Sequence, residues 1–368
     1  MIWIFLFTLL VIISHCSKEA VCKERYRIFM VILIIIISYI VAFGGKVCID
    51  NESYAIFYKS LKLSDIKDND IAFTKTFNNR YEIGFLLLNY FGKIIYLGVA
   101  GFFFLIALFV NGVFVNFIYK YKNSVLTVMY LVLSGICIQQ GNLVRQFIAA
   151  AIFTYSIKFL LDKKWLKYLL CVILAAAFHT SSLLLLLFVP LCFIDVEHKG
   201  WYKYTLFALY GISLLAMLGR LSLPLLEYAS IFVSYDDYLT DVNNIGMEFS
   251  IMRLLLFNGM AIFVLMTQVQ NSPILTSILV METIVTNLSV PLPNIARLYV
   301  LYDVVSISFF FHSLYINKRD SVTKWMLGTS IKFVFIIYLF FLLTRDYMLN
   351  DNVLLLSKTY SFSELFNF

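Results

Sequence analysis

Long apolar runs separated by short polar stretches are the dominant pattern along this sequence. The run from Ile28 to Phe43 contains no charged residue, and the run from Leu166 to Phe178 contains one. A strand of a membrane barrel would instead alternate apolar and polar residues over about 10 positions. A helix that crosses a hydrocarbon core of about 30 Å needs about 20 residues. The runs therefore predict crossing helices at 1–15, 28–44, 94–118, 124–139, 143–161, 166–179, 181–194, 203–219, 251–267, 273–290, 297–315 and 325–343.

The predicted fold class is an all-α integral membrane protein with about twelve transmembrane helices. Apolar residues make up 61% of the 368 residues and charged residues 14%, a composition that a water-soluble globule cannot bury. The run at 1–15 has no basic residues before it and no small-residue cleavage motif after it, so we interpret it as an uncleaved crossing. No repeat or linker divides the chain, and we expect residues 1–368 to form one polytopic membrane domain.

Basic residues predict the orientation of the helices. The net charge of +7 comes from lysines and arginines scattered between apolar runs, which does not indicate a nucleic-acid partner. Many of them fall in alternate short loops, and such loops lie on the cytoplasmic side of a membrane. Both termini are then predicted outside. Two longer segments, 45–89 and 220–250, become the first and second outer loops.

Arginines at the predicted outer ends of the helices are the sharpest candidates for chemistry. Arg145 opens the fifth run beside Gln146, Arg253 enters the ninth, and Arg297 opens the eleventh. A guanidinium group stays charged and binds phosphate oxygens in a bidentate fork, so these arginines fit a lipid-linked phosphate or pyrophosphate. The alternative is that each is an interfacial arginine whose charged end reaches the lipid headgroups.

A histidine and two carboxylates lie at the same predicted face. His179 lies at the outer end of the sixth run, and it fits either a general base or a hydrogen-bonded packing residue. Asp50 and Glu82, in the first outer loop, fit residues that bind a sugar hydroxyl or take its proton; solvated loop charges are the alternative. The six cysteines form no CxxC pair, so we expect neither a metal site nor a disulfide framework.

Three stretches resemble the EpsG group of the Wzy-type polysaccharide polymerases, over residues 40 to 315. The resemblance rests on these motifs: Asp50-x-x-x-Tyr54 with Tyr81-Glu82-x-Gly84-Phe85, then Arg145-Gln146-x-x-Ala149 with Phe178-His179-x-Ser181, and Arg297-x-Tyr299-x-x-Tyr302. The sequence departs from the family pattern in three places. Lys46 stands where arginine is common, Ile83 where proline is frequent, and Thr180 follows the histidine.

The resemblance implies a glycosyltransferase with a GT-C-like architecture in the bacterial inner membrane. Such an enzyme transfers a glycan chain from undecaprenyl pyrophosphate onto a new lipid-linked repeat unit at the outer face, in O-antigen, capsule or exopolysaccharide assembly. The expected partners are this lipid-linked oligosaccharide, membrane lipid and a chain-length regulator protein. No cofactor or metal is expected. A lipid-linked oligosaccharide flippase or transporter is the alternative, because it also uses arginines inside a helical bundle.

The resemblance also implies roles for the matching residues. Arg145 and Arg297 would bind the leaving pyrophosphate, with Arg253 as a third member. His179 would either take the proton of the acceptor hydroxyl or donate to a phosphate oxygen. Asp50 and Glu82 join the catalytic set, and Gln146, Tyr54 and Tyr299 the substrate-binding set.

Overall fold

The structure is a computed structural model, and it describes residues 23–43, 49–61, 81–121, 124–133, 136–193, 200–218, 251–267, 272–290 and 293–316. All regular structure within these ranges is helical, which confirms the all-α part of the predicted class and is compatible with a membrane protein. The predicted crossings at 1–15 and 325–343 and the second outer loop, 220–250, lie outside the described residues.

Most helices begin and end close to the predicted apolar runs. The α-helices are α1 Lys23–Phe43, α2 Ile49–Ser60, α3 Ile83–Ile94, α4 Val99–Ile118, α5 Ser124–Leu133, α6 Ile136–Gln139, α7 Val144–Leu161, α8 Trp165–Ala176, α9 Gly200–Met217, α10 Ile251–Thr267, α11 Pro273–Leu288 and α12 Tyr299–Ile316. Two 3₁₀ helices, Thr180–Cys192 and Pro293–Leu298, follow α8 and precede α12.

Three helical stretches of the described chain are long and apolar enough to cross a membrane: Val99–Ile118, Val144–Leu161 and Ile295–Leu314. The shorter 3₁₀ helix Thr180–Cys192 gains length from its geometry. Its 13 residues rise about 2.0 Å each and extend about 26 Å, near the thickness of a hydrocarbon core. The number of crossings and the orientation of the termini stay predictions.

The first outer loop, 45–89, contains α2 and the beginning of α3, two helices that the sequence analysis did not assign. In α2, Tyr54, Phe57 and Tyr58 recur at helical spacing and are all buried, as is Leu61 just after the helix. Charged residues lie before and between these positions, so the segment contains no continuous apolar run and was not predicted as a helix. The predicted crossing at 94–118 starts instead at α4, because Tyr96 has a positive φ of 55° that ends the preceding helix α3.

The described helices form two compact units, although no linker in the sequence marks the division. The first unit includes α1 to α8, and the second includes α9 to α12. In the first, α7 packs on α4 and α8, and α1 packs on α4. The run Ala149–Ala151 in α7 is fully buried, since small side chains let neighbouring helices approach closely. In the second, α11 packs on α9, α10 and α12.

Candidate active site

Arg145 lies in the first turn of α7, where it is held by two residues from earlier in the chain. Its Nη1 donates to Oε2 of Glu82, and its Nε donates to the hydroxyl oxygen of Tyr54 at 3.4 Å. The guanidinium carbon lies 5.1 Å from the centre of the Tyr81 ring. The arginine side chain is 23% exposed. These contacts orient a charged group that solvent still reaches.

Glu82 immediately precedes α3, and its carboxylate contacts Arg145 and the segment after α8. While Oε2 accepts from Arg145, Oε1 accepts from the Thr180 backbone N–H at 3.3 Å and lies 3.4 Å from Nδ1 of His179. The α3 N-terminus adds a favourable site for negative charge. We call Glu82, Arg145, His179 and Tyr54 the Glu82 centre.

The electrostatics of the Glu82 centre keep the carboxylate ionised. Burial alone would raise the pKa of Glu82, but the interaction with the nearby His179 ring and the charge of Arg145 outweigh it. Together with the backbone they lower this pKa from 4.5 to about 2. An ionised carboxylate only accepts hydrogen bonds, so Oε1 presents an acceptor to Nδ1 of His179 at 3.4 Å.

Aromatic rings from α2 and α3 support the centre. Tyr54 packs edge-on against Phe85 with ring centres 5.5 Å apart, and Phe57 lies 4.3 Å from Tyr81. Phe57 and Phe85 are almost completely buried. Such packing restricts the rotamer of Tyr54, and thereby the position of the hydroxyl group that accepts from Arg145.

The structure thus brings together four of the predicted site residues: Arg145, Glu82, His179 and Tyr54. Gln146 is buried next to Arg145 on α7, and its Oε1 accepts no hydrogen bond from the described part of the chain. Asp50 is the second residue of α2. Its proposed contact with a sugar stays a prediction.

A second charged centre lies in the other unit, around Arg253 of α10. Its Nη2 donates to Oε1 of Glu282 at 2.8 Å and to Oδ1 of Asp303 at 2.7 Å. The guanidinium carbon lies 4.0 Å from the Tyr299 ring centre and 4.4 Å from that of Phe257. Both carboxylates are almost completely buried. We call Arg253, Glu282 and Asp303 the Arg253 centre.

Glu282 and Asp303 are residues that the sequence analysis missed. Each is a single acid inside an apolar run, and this pattern could have marked them, since ionisable residues in a membrane are costly and seldom incidental. Asn287, Asn258 and Ser213 join α11, α10 and α9 through hydrogen bonds of 2.7 to 3.2 Å. The apolar interior of the second unit therefore contains a set of hydrogen-bonded polar side chains.

Arg297, also predicted to bind substrate, lies in the 3₁₀ helix that precedes α12. Its Nε is buried and donates to no acceptor among the described residues. Within the same ranges, no three His, Cys, Asp or Glu side chains are grouped as metal ligands.

Comparison with known proteins identifies the family of the chain. No curated protein and no solved structure matches the sequence. The model of the EpsG family matches residues 27–357, which is most of the chain and includes both charged centres. The chain therefore belongs to the EpsG family, which is associated with polysaccharide polymerisation.

Proposed function

We propose that this protein is a membrane glycosyltransferase that polymerises lipid-linked glycan repeat units. It transfers the growing chain from undecaprenyl pyrophosphate onto the next lipid-linked unit, at the outer face of the bacterial cytoplasmic membrane. The observation that carries the proposal is that Glu82 contacts both a candidate anion-binding arginine and a candidate base. Membership of the EpsG family supports the reaction class.

His179 is the proposed general base. Glu82 orients the ring through Nδ1, so that Nε2 takes the proton of the acceptor sugar hydroxyl. The hydroxyl oxygen then attacks the anomeric carbon of the donor, and the bond from that carbon to the pyrophosphate oxygen breaks. A carboxylate orients a catalytic histidine in the same way in Ser-His-Asp hydrolases.

Arg145 is the proposed ligand of the leaving pyrophosphate. Negative charge develops on that group as the glycosidic bond breaks, and a cation already held in place stabilises it without reorganisation. Glu82 and Tyr54 hold the guanidinium, and the first-turn N–H groups of α7 add a partial positive charge at the same point.

Of Arg253 and Arg297, the two arginines among the described residues of the second unit, Arg297 is the better pyrophosphate ligand. Arg253 already donates to two buried carboxyl groups, so its guanidinium is less available to a phosphate. We therefore assign Arg253 to the positioning of Tyr299, whose ring lies against its guanidinium. Gln146 and Asp50 are the proposed contacts to sugar hydroxyls. A chain-length regulator protein is a proposed partner.

Deletion and complementation in the native strain test this function. Loss of the gene should collapse the ladder of surface polysaccharide to a single repeat unit, and the intact gene should restore it. Arg145→Ala and His179→Ala should fail to restore it at normal protein abundance. Lys164→Ala, which removes an exposed ion pair, is the matched control and should restore it. Loss of even the single unit would support a flippase instead, and a full ladder in both site variants would refute the assigned roles.

A further inference from the structure

Gly84 makes the closest described backbone contact near the Glu82 centre. Its N–H donates to the carbonyl oxygen of Ala177 at 2.7 Å. A Cβ atom at position 84 would lie 2.6 Å from that oxygen and 2.9 Å from the Ala177 carbonyl carbon. These atoms belong to the backbone, so no side-chain rotation relieves the overlap. Only a residue without a side chain fits.

The contact joins the N-terminus of α3 to the C-terminus of α8. The first N–H groups of a helix have no acceptor in their own helix, and the last carbonyl groups have no donor. Gly84 and Ala177 satisfy one group of each kind, and they bring a positive helix end against a negative one. The hydrogen bond is therefore favoured by electrostatics as well as by geometry.

The same contact sets the distance between Glu82 and His179. Each of these residues lies two positions from one partner of the Gly84–Ala177 hydrogen bond. The Thr180 N–H, one residue further, donates to the Glu82 carboxylate at 3.3 Å. The two segments thus meet through the backbone first, and the side-chain distance of 3.4 Å follows from that register.

We propose that Gly84 is a positioning residue for the transfer reaction: its contact with Ala177 holds Glu82 within reach of His179. This inference rests on the proposed function, in which His179 is the base. Gly84 itself does not contact substrate in this scheme. Any side chain at position 84 separates the two segments and leaves His179 without its orienting carboxylate.

Gly84→Ala tests the proposal, with Gly112→Ala as its matched control. Both glycines lie in helices with φ outside the left-handed range, so alanine suits the backbone at either position; a Cβ at Gly112 meets nothing within 4 Å. The protein is expressed at a level where polymer yield is proportional to its abundance. Gly84→Ala should then lower polymer yield by about 100-fold, the effect expected when a catalytic group is misplaced by about 1 Å. Gly112→Ala should match the wild type.

Two further measurements separate positioning from general damage. Amide hydrogen exchange in purified protein should show the residue-84 N–H protected in the wild type and at least about 10-fold faster in Gly84→Ala, because a first-turn amide has no other acceptor. Both substitutions disrupt the same arrangement of Glu82 and His179. The double variant Gly84→Ala with Glu82→Gln should therefore yield as much polymer as whichever single variant yields less. Independent effects would instead multiply.

Three results would overturn the proposal: wild-type polymer yield in Gly84→Ala, unchanged exchange at residue 84 despite lost polymer, or multiplied losses in the double variant. A failure of the proposed function is seen separately, as a full polysaccharide ladder in His179→Ala. In that case hydrogen exchange still reports whether the contact exists.

Discussion

Replacing Glu82 by glutamine removes the one charge that links Arg145 to His179 and leaves the size of the side chain unchanged. The amide retains an oxygen that can accept from the Thr180 N–H. It leaves the guanidinium of Arg145 without its carboxylate partner. A hydrogen bond to a charged group contributes about 1.5 to 3 kcal/mol, so we expect the free energy of unfolding to fall by about 2 kcal/mol.

The effect on activity should be larger than the effect on stability. A positioned general base contributes about 10² to 10⁴ in rate, and a neutral amide no longer stabilises the positive charge that His179 gains when it takes the proton. We expect polymer yield to fall by at least about 100-fold. Asp162→Asn makes the same chemical change in an exposed pair with Lys164 and should leave both polymer yield and thermal stability unchanged.

Polymer yield in the complemented deletion strain and the melting temperature of the purified protein check these two effects. Reduced stability with full polymer yield would show that Glu82 is structural only. Wild-type values in both assays would refute the reasoning.

The pH dependence of stability provides an independent measurement on Glu82. Its pKa is lowered from 4.5 to about 2 in the folded protein. A lowered carboxyl pKa contributes stability that is present above the unfolded value and is lost as pH falls through the folded one. The stability difference between wild type and Glu82→Gln should be constant above pH 4.5 and should decrease between pH 4.5 and 2. A difference that is constant throughout would contradict the assignment.

Three further substitutions test the contacts of the two centres. Arg145→Lys keeps the positive charge but cannot bind two phosphate oxygens with a planar guanidinium, and polymer yield should fall by about 10-fold. A yield equal to that of the wild type would exclude bidentate binding of the pyrophosphate by Arg145. Tyr54→Phe removes the hydroxyl that accepts from Arg145 but keeps the ring packing, and should cost about 1 kcal/mol of stability by thermal unfolding; no loss would show that this hydrogen bond is not formed. Arg253→Met leaves Glu282 and Asp303 buried without a cation and should destabilise the protein by about 3 to 5 kcal/mol. Adding Glu282→Gln and Asp303→Asn should recover much of that loss, and an Arg253→Met variant as stable as wild type would contradict this account.

The helical class and the approximate positions of the described helices follow from the sequence. A continuous apolar run placed in lipid must satisfy its own backbone hydrogen bonds, and a helix does so within the segment. The run from 251 to 267 illustrates this, because α10 has the same bounds. Arg145 and His179 were also recognisable, since a charged or titratable group beside an apolar run stands out locally.

Only the tertiary structure decided which of these groups meet. Glu82 is separated from Arg145 by 63 residues and from Thr180 by 98, and Arg253 from Asp303 by 50. Such pairs depend on how helices pack, and local periodicity contains no information about that packing. The close approach of Gly84 to Ala177 also depends on helix packing. In the sequence, Gly84 cannot be told from Gly112, although a side chain would clash with the backbone at the first position and meet nothing at the second. The sequence thus determined where the helices form and which residues are chemically unusual, whereas the packing of the helices determined which of those residues share a site.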